Sequence, residues 1–291
     1  MATLPLALTK SRTPAPSTVI AGLAFLLLFA QPLTTLGRDW WNDPDAGHGL
    51  LLFPVALWIA WKRGRAPLAA PQPALGLALL IASVILRYLS GLASELYTMR
   101  LSLLGATFGL IIFSLGIRQL MHWWLPATLI FLSIPLPDVL TSSLALPLQL
   151  RASEWGASLL EMRNVPVRLS GNVLRLPGQQ LFVTEACSGL RSLTALLSLG
   201  LLIAGLWLKT TPLRVILIVM AIPIAMVLNA LRIFLTGFLV YYVDPSLAEG
   251  VMHYSEGWAM FVIAFLMLSG LALLLSAMES WWRRRRLPEA A

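Results

Sequence analysis

Eight apolar runs, separated by short polar or basic loops, decide which solvent this chain can fold in. They extend approximately from Thr18 to Leu36, His48 to Trp61, Ala74 to Leu92, Leu101 to Ile117, Leu120 to Ile134, Ser188 to Leu208, Leu213 to Tyr241 and Val251 to Ala277. A helix crossing a hydrocarbon core of ~30 Å needs roughly 20 apolar residues, and most of these runs approach that length. The second and fifth are short, as tilted, broken or partly interfacial helices would be. Hydrophobic residues make up 58% of the chain and charged residues 12%, too little charge to cover a water-soluble surface. The expected fold is therefore an all-α polytopic membrane protein with about eight transmembrane helices. Residues 1–17 form a polar tail, 18–277 the membrane domain and 278–291 a basic tail. The first run resembles a signal peptide, but the spans that follow it favour a retained helix.

Loop charge sets the orientation. With the amino terminus in the cytoplasm, Lys10, Arg12, Lys62, Arg63, Arg65, Arg118, Lys209, Arg214 and Arg283 to Arg286 all lie inside, twelve of the 21 basic residues. Only Glu279 and Glu289 accompany them, so both termini are expected to be cytoplasmic in an inner (plasma) membrane. Trp40, Trp41, Trp123, Trp124, Tyr241, Tyr242, Trp281 and Trp282 fall at span ends, as an interfacial belt requires. The net charge of +8 is scattered through loops, which argues for a lipid bilayer partner and against nucleic acid. A single cysteine excludes an internal disulfide framework and a multi-cysteine metal site, and neither cofactor nor metal is expected. There are no internal repeats, and Gly105-xxx-Gly109 indicates close helix packing.

The longest outside segment, residues 135–184, has two parts. Leu140, Leu144, Leu148, Trp155 and Leu159 recur at helical spacing around Pro147, which predicts a bent amphipathic helix lying on the membrane surface. From Val165 to Val183, apolar and polar residues alternate around Ser170-Gly-Asn and Pro177-Gly. A small β element is expected there, delivering the chain to the sixth helix.

At that entry stands Thr184-Glu-Ala-Cys187-Ser-Gly-Leu-Arg191. In the first turn of a helix the thiol meets the positive end of the dipole, and Arg191, one turn on, favours the thiolate in the same way. The same cysteine also reads as a small buried hydrophobe. Two further polar residues reach the same depth: Arg232 in the outer half of the seventh run, and His253 at the start of the eighth. A guanidinium two turns inside an apolar span costs ~2.5 kcal/mol or more unless a cavity or partner receives it, and Asn229 is one such partner. A thiolate, an imidazole to move a proton and a guanidinium to hold an oxyanion make a set suited to acyl transfer. Glu256, three residues from His253, is a candidate to orient the imidazole, and His48 in the first outer loop either lines the site or is an interfacial histidine. His122, at the cytoplasmic end of a span, reads as structural.

The motifs Thr-Glu-Ala-Cys187-Ser-Gly-Leu-Arg-Ser, Asn-Ala-Leu-Arg232-Ile and His253-Tyr-Ser-Glu-Gly-Trp resemble those of the exosortase/archaeosortase family of membrane-embedded transpeptidases. Ile134-Pro-Leu-Pro137 and the first loop around His48 are similar as well, and the resemblance covers roughly residues 18–277. It implies a catalytic Cys187, Arg232 and His253. The implied substrates are membrane-tethered secreted proteins ending in a short Pro-Glu-Pro (PEP-CTERM) type motif, a transmembrane helix and a basic tail. Some relatives carry an extra soluble domain after the last span; here the chain ends soon after Arg286, so such a partner is expected to be a separate accessory protein.

Two other classes fit the composition. An exopolysaccharide polymerase or lipid-linked glycan ligase would share the outer-face arginines and histidines without needing Cys187, and a transporter would need more polar or broken helices at mid-membrane. Reporter fusions after Arg65, Lys209 and Arg286 are expected to report cytoplasm, and fusions within residues 171–180 or at Asp244 the opposite side. A cytoplasmic signal at Asp244 would separate His253 from Cys187 and end the triad.

Overall fold

The computed structural model describes residues 16–43, 46–183, 190–244 and 251–286. All eight apolar runs are helical. α1 (Pro16–Leu28) and α2 (Ala30–Asn42) carry the first, α3 (Gly49–Arg63) the second, α4 (Pro73–Leu92) the third and α5 (Leu96–Leu115) the fourth. The fifth is divided between α6 (Ile117–His122) and α7 (Trp124–Leu132). α8 (Asp138–Glu161) follows, and α9 (Leu190–Trp207), α10 (Thr211–Tyr242) and α11 (Val251–Arg286) complete the chain. Among the described residues, four helical stretches are long and apolar enough to cross a membrane: α4, α5, α10 and Ala259–Arg283 of α11. The α1–α2 pair makes a fifth if counted as one span. All the expected apolar runs are thus helical where described, while four or five of them, not eight, have the length and apolarity of a full span.

Proline explains the two breaks. The first run bends by 61° at Phe29 and the fifth parts at Trp123. Pro32 and Pro126 stand four residues beyond Leu28 and His122, the last residues of α1 and α6. A proline ring collides with the carbonyl four residues back and offers it no N–H. The orphaned His122 carbonyl is taken instead by Arg63 Nη1 at 3.0 Å. Pro147 and Pro223 leave α8 and α10 continuous.

α10 is the central element. One buried cluster joins it to α9 and α11 through Leu196, Ala204, Leu217, Ala221, Ala264 and Leu268. Another joins α3, α7 and α9 through Leu52, Ala56, Leu125, Leu129 and Leu201. α4 and α5 form a close pair, with Gly76 against the Phe113 backbone and Gly109 against Leu80, so the Gly105-xxx-Gly109 spacing does serve close packing.

α8 departs from the expected surface helix. From Leu148 to Leu160 it runs beside α10 and parallel to it: Leu148 and Ala152 share a cavity with Ala225 and Asn229, Gly156 meets Ile233, and Leu160 meets Gly237. The buried face is Ala152, Ser153, Gly156, Ala157 and Leu160, whereas Leu140 and Trp155 of the anticipated stripe are exposed. Small residues let two backbones approach closely, and that contact outweighs the broader apolar stripe as the determinant of how the helix lies.

Beyond α8 the expected β element is present. β1 (Arg168–Ser170), β2 (Val173–Leu176) and β3 (Gln179–Phe182) form an antiparallel meander. Its turns fall at Gly171 (φ 63°) and Gly178 (φ 79°), conformations that glycine adopts without a Cβ penalty. Leu174 and Leu176 point inward onto Leu160, Val165 and Val240. Asn172 closes the sheet, donating from Nδ2 to the Val183 carbonyl at 3.0 Å and accepting the Val183 N–H at 2.9 Å.

A Cβ added at Gly156 would stand 2.6 Å from Ile233 Cγ2. Gly156→Val is therefore expected to lower stability by about 1–3 kcal/mol, read as a reduced thermal midpoint in detergent. Gly22→Ala, with nothing within 4 Å, is expected to leave it unchanged or slightly raised.

Candidate active site

Antiparallel packing sets the depth of each candidate. The Lys209 N–H donates to Glu279 at 3.0 Å, tying the start of α10 to the last turns of α11. Arg232 lies 23 residues past Lys209 and His253 lies 26 before Glu279. At 1.5 Å per residue these are climbs of about 35 and 39 Å, so the two backbone positions agree within one helical turn. α9 starts at Leu190 and runs down to Leu208, whose carbonyl accepts from Arg214 Nε at 2.9 Å. Its first turn therefore belongs to the same end of the bundle.

Arg232 is half-buried, and its carbonyl accepts the Thr236 hydroxyl at 3.0 Å. One turn earlier, Asn229 is 6% exposed and its Nδ2 is buried without a hydrogen-bond partner. It borders a small cavity closed by Leu148 and Ala152 of α8, Leu193 of α9 and Ala225 and Met226 of α10. An amide held in apolar surroundings with an unused donor costs about 1–3 kcal/mol. The sequence marked Asn229 as a partner for Arg232; its place in a cavity between three helices depends on α8, whose course was not legible.

Cys187 lies outside the described residues, between Val183 at the sheet exit and Leu190 at the start of α9. Arg191 falls on α9, and His253 and Glu256 on the first turns of α11; the side chains of all three lie outside the described set. His48 precedes α3, where its Nε2–H donates to the Leu132 carbonyl at 3.2 Å. Trp40 Nε1 donates to the Ser133 carbonyl at 2.8 Å beside it. These two bonds dock the first loop on the end of α7, just before Ile134-Pro-Leu-Pro137. His122 is structural, its Nε2–H donating to the Arg63 carbonyl at 3.2 Å. Among the described residues no group of three His, Cys, Asp or Glu side chains is placed to hold a metal ion.

The sequence did not reveal the pair between Arg100 of α5 and Asp39 of α2, 2.5 Å apart, with Arg100 only 4% exposed. Alongside it, Arg87 Nη2 donates to Gln31 at 2.8 Å. These bonds fasten α2 to the α4–α5 hairpin. Alternating signs at Asp39 and Arg100 were visible, but nothing local paired residues so far apart.

Four helices of this length and apolarity, with a fifth if the bent α1–α2 pair is one span, define a multi-pass membrane protein. The family model described as Transmembrane exosortase (Exosortase_EpsH) matches residues 40–270, and the chain belongs to that family. No curated protein and no solved structure matches it. Family membership does not favour the glycan polymerase or ligase reading.

Removing the Asp39 carboxylate leaves a buried guanidinium without its counter-ion. Asp39→Asn is expected to cost ~2–3 kcal/mol of stability in a detergent melt, and Asp39→Leu combined with Arg100→Met to recover most of it.

Proposed function

We propose that this protein is a cysteine transpeptidase that cuts carboxy-terminal sorting signals from secreted proteins at the extracytoplasmic face of the inner membrane. Cys187 is the nucleophile, His253 the proton carrier and Arg232 the oxyanion holder. The observation that supports this most is the convergence at one end of the bundle, within the matched segment, of Arg232, the first turn of α11 and the start of α9. Both termini lie in the cytoplasm in this reading, with the bundle end that carries Lys62, Arg63, Arg65 and Arg214. Residues 18–277 form the transpeptidase domain, with 135–184 as its extracytoplasmic insertion.

The substrate is tethered by its own transmembrane helix and reaches the site in the plane of the membrane. Tethering raises the effective concentration of the scissile segment without a deep soluble cleft. The Cys187 thiolate adds to the scissile carbonyl, and Arg232 stabilises the oxygen that gains negative charge. As the C–N bond breaks, His253 delivers a proton to the leaving amine, which departs with the signal helix. The amino-terminal part remains on Cys187 as a thioester. An incoming amine then loses a proton to His253, attacks the thioester and restores the thiolate. α8 and the β sheet roof this end of the bundle, limiting water and lengthening the life of the acyl enzyme. Arg191 and the helix dipole favour the thiolate, Glu256 orients the imidazole, and His48 holds the neighbouring loop. Asn229, one turn before Arg232 on α10, supports the guanidinium from the same helix.

Cys187→Ala and His253→Ala are each expected to insert normally yet abolish substrate processing, because a nucleophile and its proton carrier act as a unit. Arg232→Lys is expected to fail nearly as badly as Arg232→Ala, since an ammonium lacks the planar fork. Normal processing by Cys187→Ala would overturn the assignment.

Transpeptidation itself is tested with hydroxylamine added during turnover, which is expected to divert product to a hydroxamate. A free new carboxylate alone, with no Cys187 adduct on rapid quench, would make the protein a plain protease.

A further inference from the structure

At the opposite end of the bundle, two guanidinium groups from separate helices share one indole. Arg63, in the last turn of α3, has its Cζ 5.7 Å from the Trp124 ring centre, and Arg214, in the first turn of α10, has its Cζ 5.0 Å from it. Both interactions are of cation–π geometry. Each arginine also donates to a carbonyl at a helix end: Arg63 Nη1 to His122 and Arg214 Nε to Leu208, at 3.0 and 2.9 Å. Helix capping explains one N–H of each, but a guanidinium carries five. Among the described residues neither arginine has a carboxylate partner. Glu279, the acid described at this end, is engaged by the Lys209 N–H and by Arg283 at 3.2 Å.

The arrangement is rigid. Gln119, fully buried, accepts the Ala66 N–H at 2.8 Å and donates to the Gly64 carbonyl at 3.0 Å, and Trp123 Nε1 donates to that same carbonyl. The chain after α3 is thereby fixed to α6, next to the Trp124 ring that both arginines approach. Two like charges set against one ring, with no carboxylate among the described residues paired to either, repel each other, and an anion supplied from outside relieves that repulsion.

We propose that Arg63, Arg214 and Trp124 form a binding site for a phosphate-type oxyanion, carried by an anionic phospholipid headgroup or present as free phosphate. Charge-assisted N–H groups match phosphate oxygens, and the indole sets the depth at which a headgroup meets them. α3, α6, α7, α9 and α10 all contribute to this corner, so an occupant braces the bundle at the end remote from the candidate catalytic residues.

The full chain, purified in detergent, is melted with added phosphatidylglycerol, with phosphatidylcholine or with inorganic phosphate. Phosphatidylglycerol is expected to raise the thermal midpoint beyond phosphatidylcholine. Arg63→Gln combined with Arg214→Gln is expected to weaken that dependence about tenfold, the loss of one or two charge-assisted bonds, while Arg118→Gln leaves it intact. An equal rise with inorganic phosphate supports the site and makes the free anion its occupant. Equal response of the wild type to both lipids, with none to phosphate, overturns the proposal without any variant. A double variant that keeps the full phosphatidylglycerol response overturns it as well.

Discussion

The close contact between α8 and the upper half of α10 is what the rest of this structure depends on. α10 has 32 residues, about 48 Å of helix, against a hydrocarbon core of ~30 Å. The surplus protrudes and must be covered. Gly156 admits Ile233 from α10, and Gly237 admits Leu160 from α8, so each helix has a gap where the other has bulk. This reciprocity brings the backbones together and carries Val165 and the β sheet onto Val240. It also closes one wall of the cavity at Asn229. A bulky residue at Gly156 would therefore disturb covering, sheet docking and cavity together.

Much of the architecture was legible because it follows from single residues with strong local effects. The apolar runs marked every long helix but α8, which a spaced stripe of leucines marked, and Ser170-Gly-Asn and Pro177-Gly marked both turns of the sheet. The cytoplasmic cluster predicted from loop charge is one physical end of the bundle, joined through Arg63, His122, Arg214, Lys209 and Glu279. The two helix breaks were readable in principle from Pro32 and Pro126. Pro147 and Pro223, inside unbroken helices, show why proline position alone is an incomplete signal.

What escaped the sequence was pairwise. The apolar stripe through Leu140 and Trp155 has the stronger hydrophobic pattern, yet the small residues of the neighbouring face decide how α8 packs, because van der Waals contact between backbones counts for more where the solvent is itself apolar. The Asp39–Arg100 pair joins residues with no common periodicity. For the candidate site, the depth of Arg232 and His253 was visible from helix order, whereas the cavity beside Asn229 required knowing that α8 runs parallel to α10.

Several buried polar groups among the described residues are bonded across helices, and a few are not. Arg100, Gln119 and Glu279 are each tied to a named partner on another helix, Asp39, Gly64 and Lys209 respectively. Such groups lock helices together. Asn229 is as deeply buried, but its Nδ2 has no hydrogen-bond partner, and the Ser153 hydroxyl of α8, fully buried, has none either. Leaving a donor unsatisfied in apolar surroundings destabilises the resting protein by about 1–3 kcal/mol. The small cavity beside it is walled by three packed helices instead of loops, so the amide is held in place by packing alone.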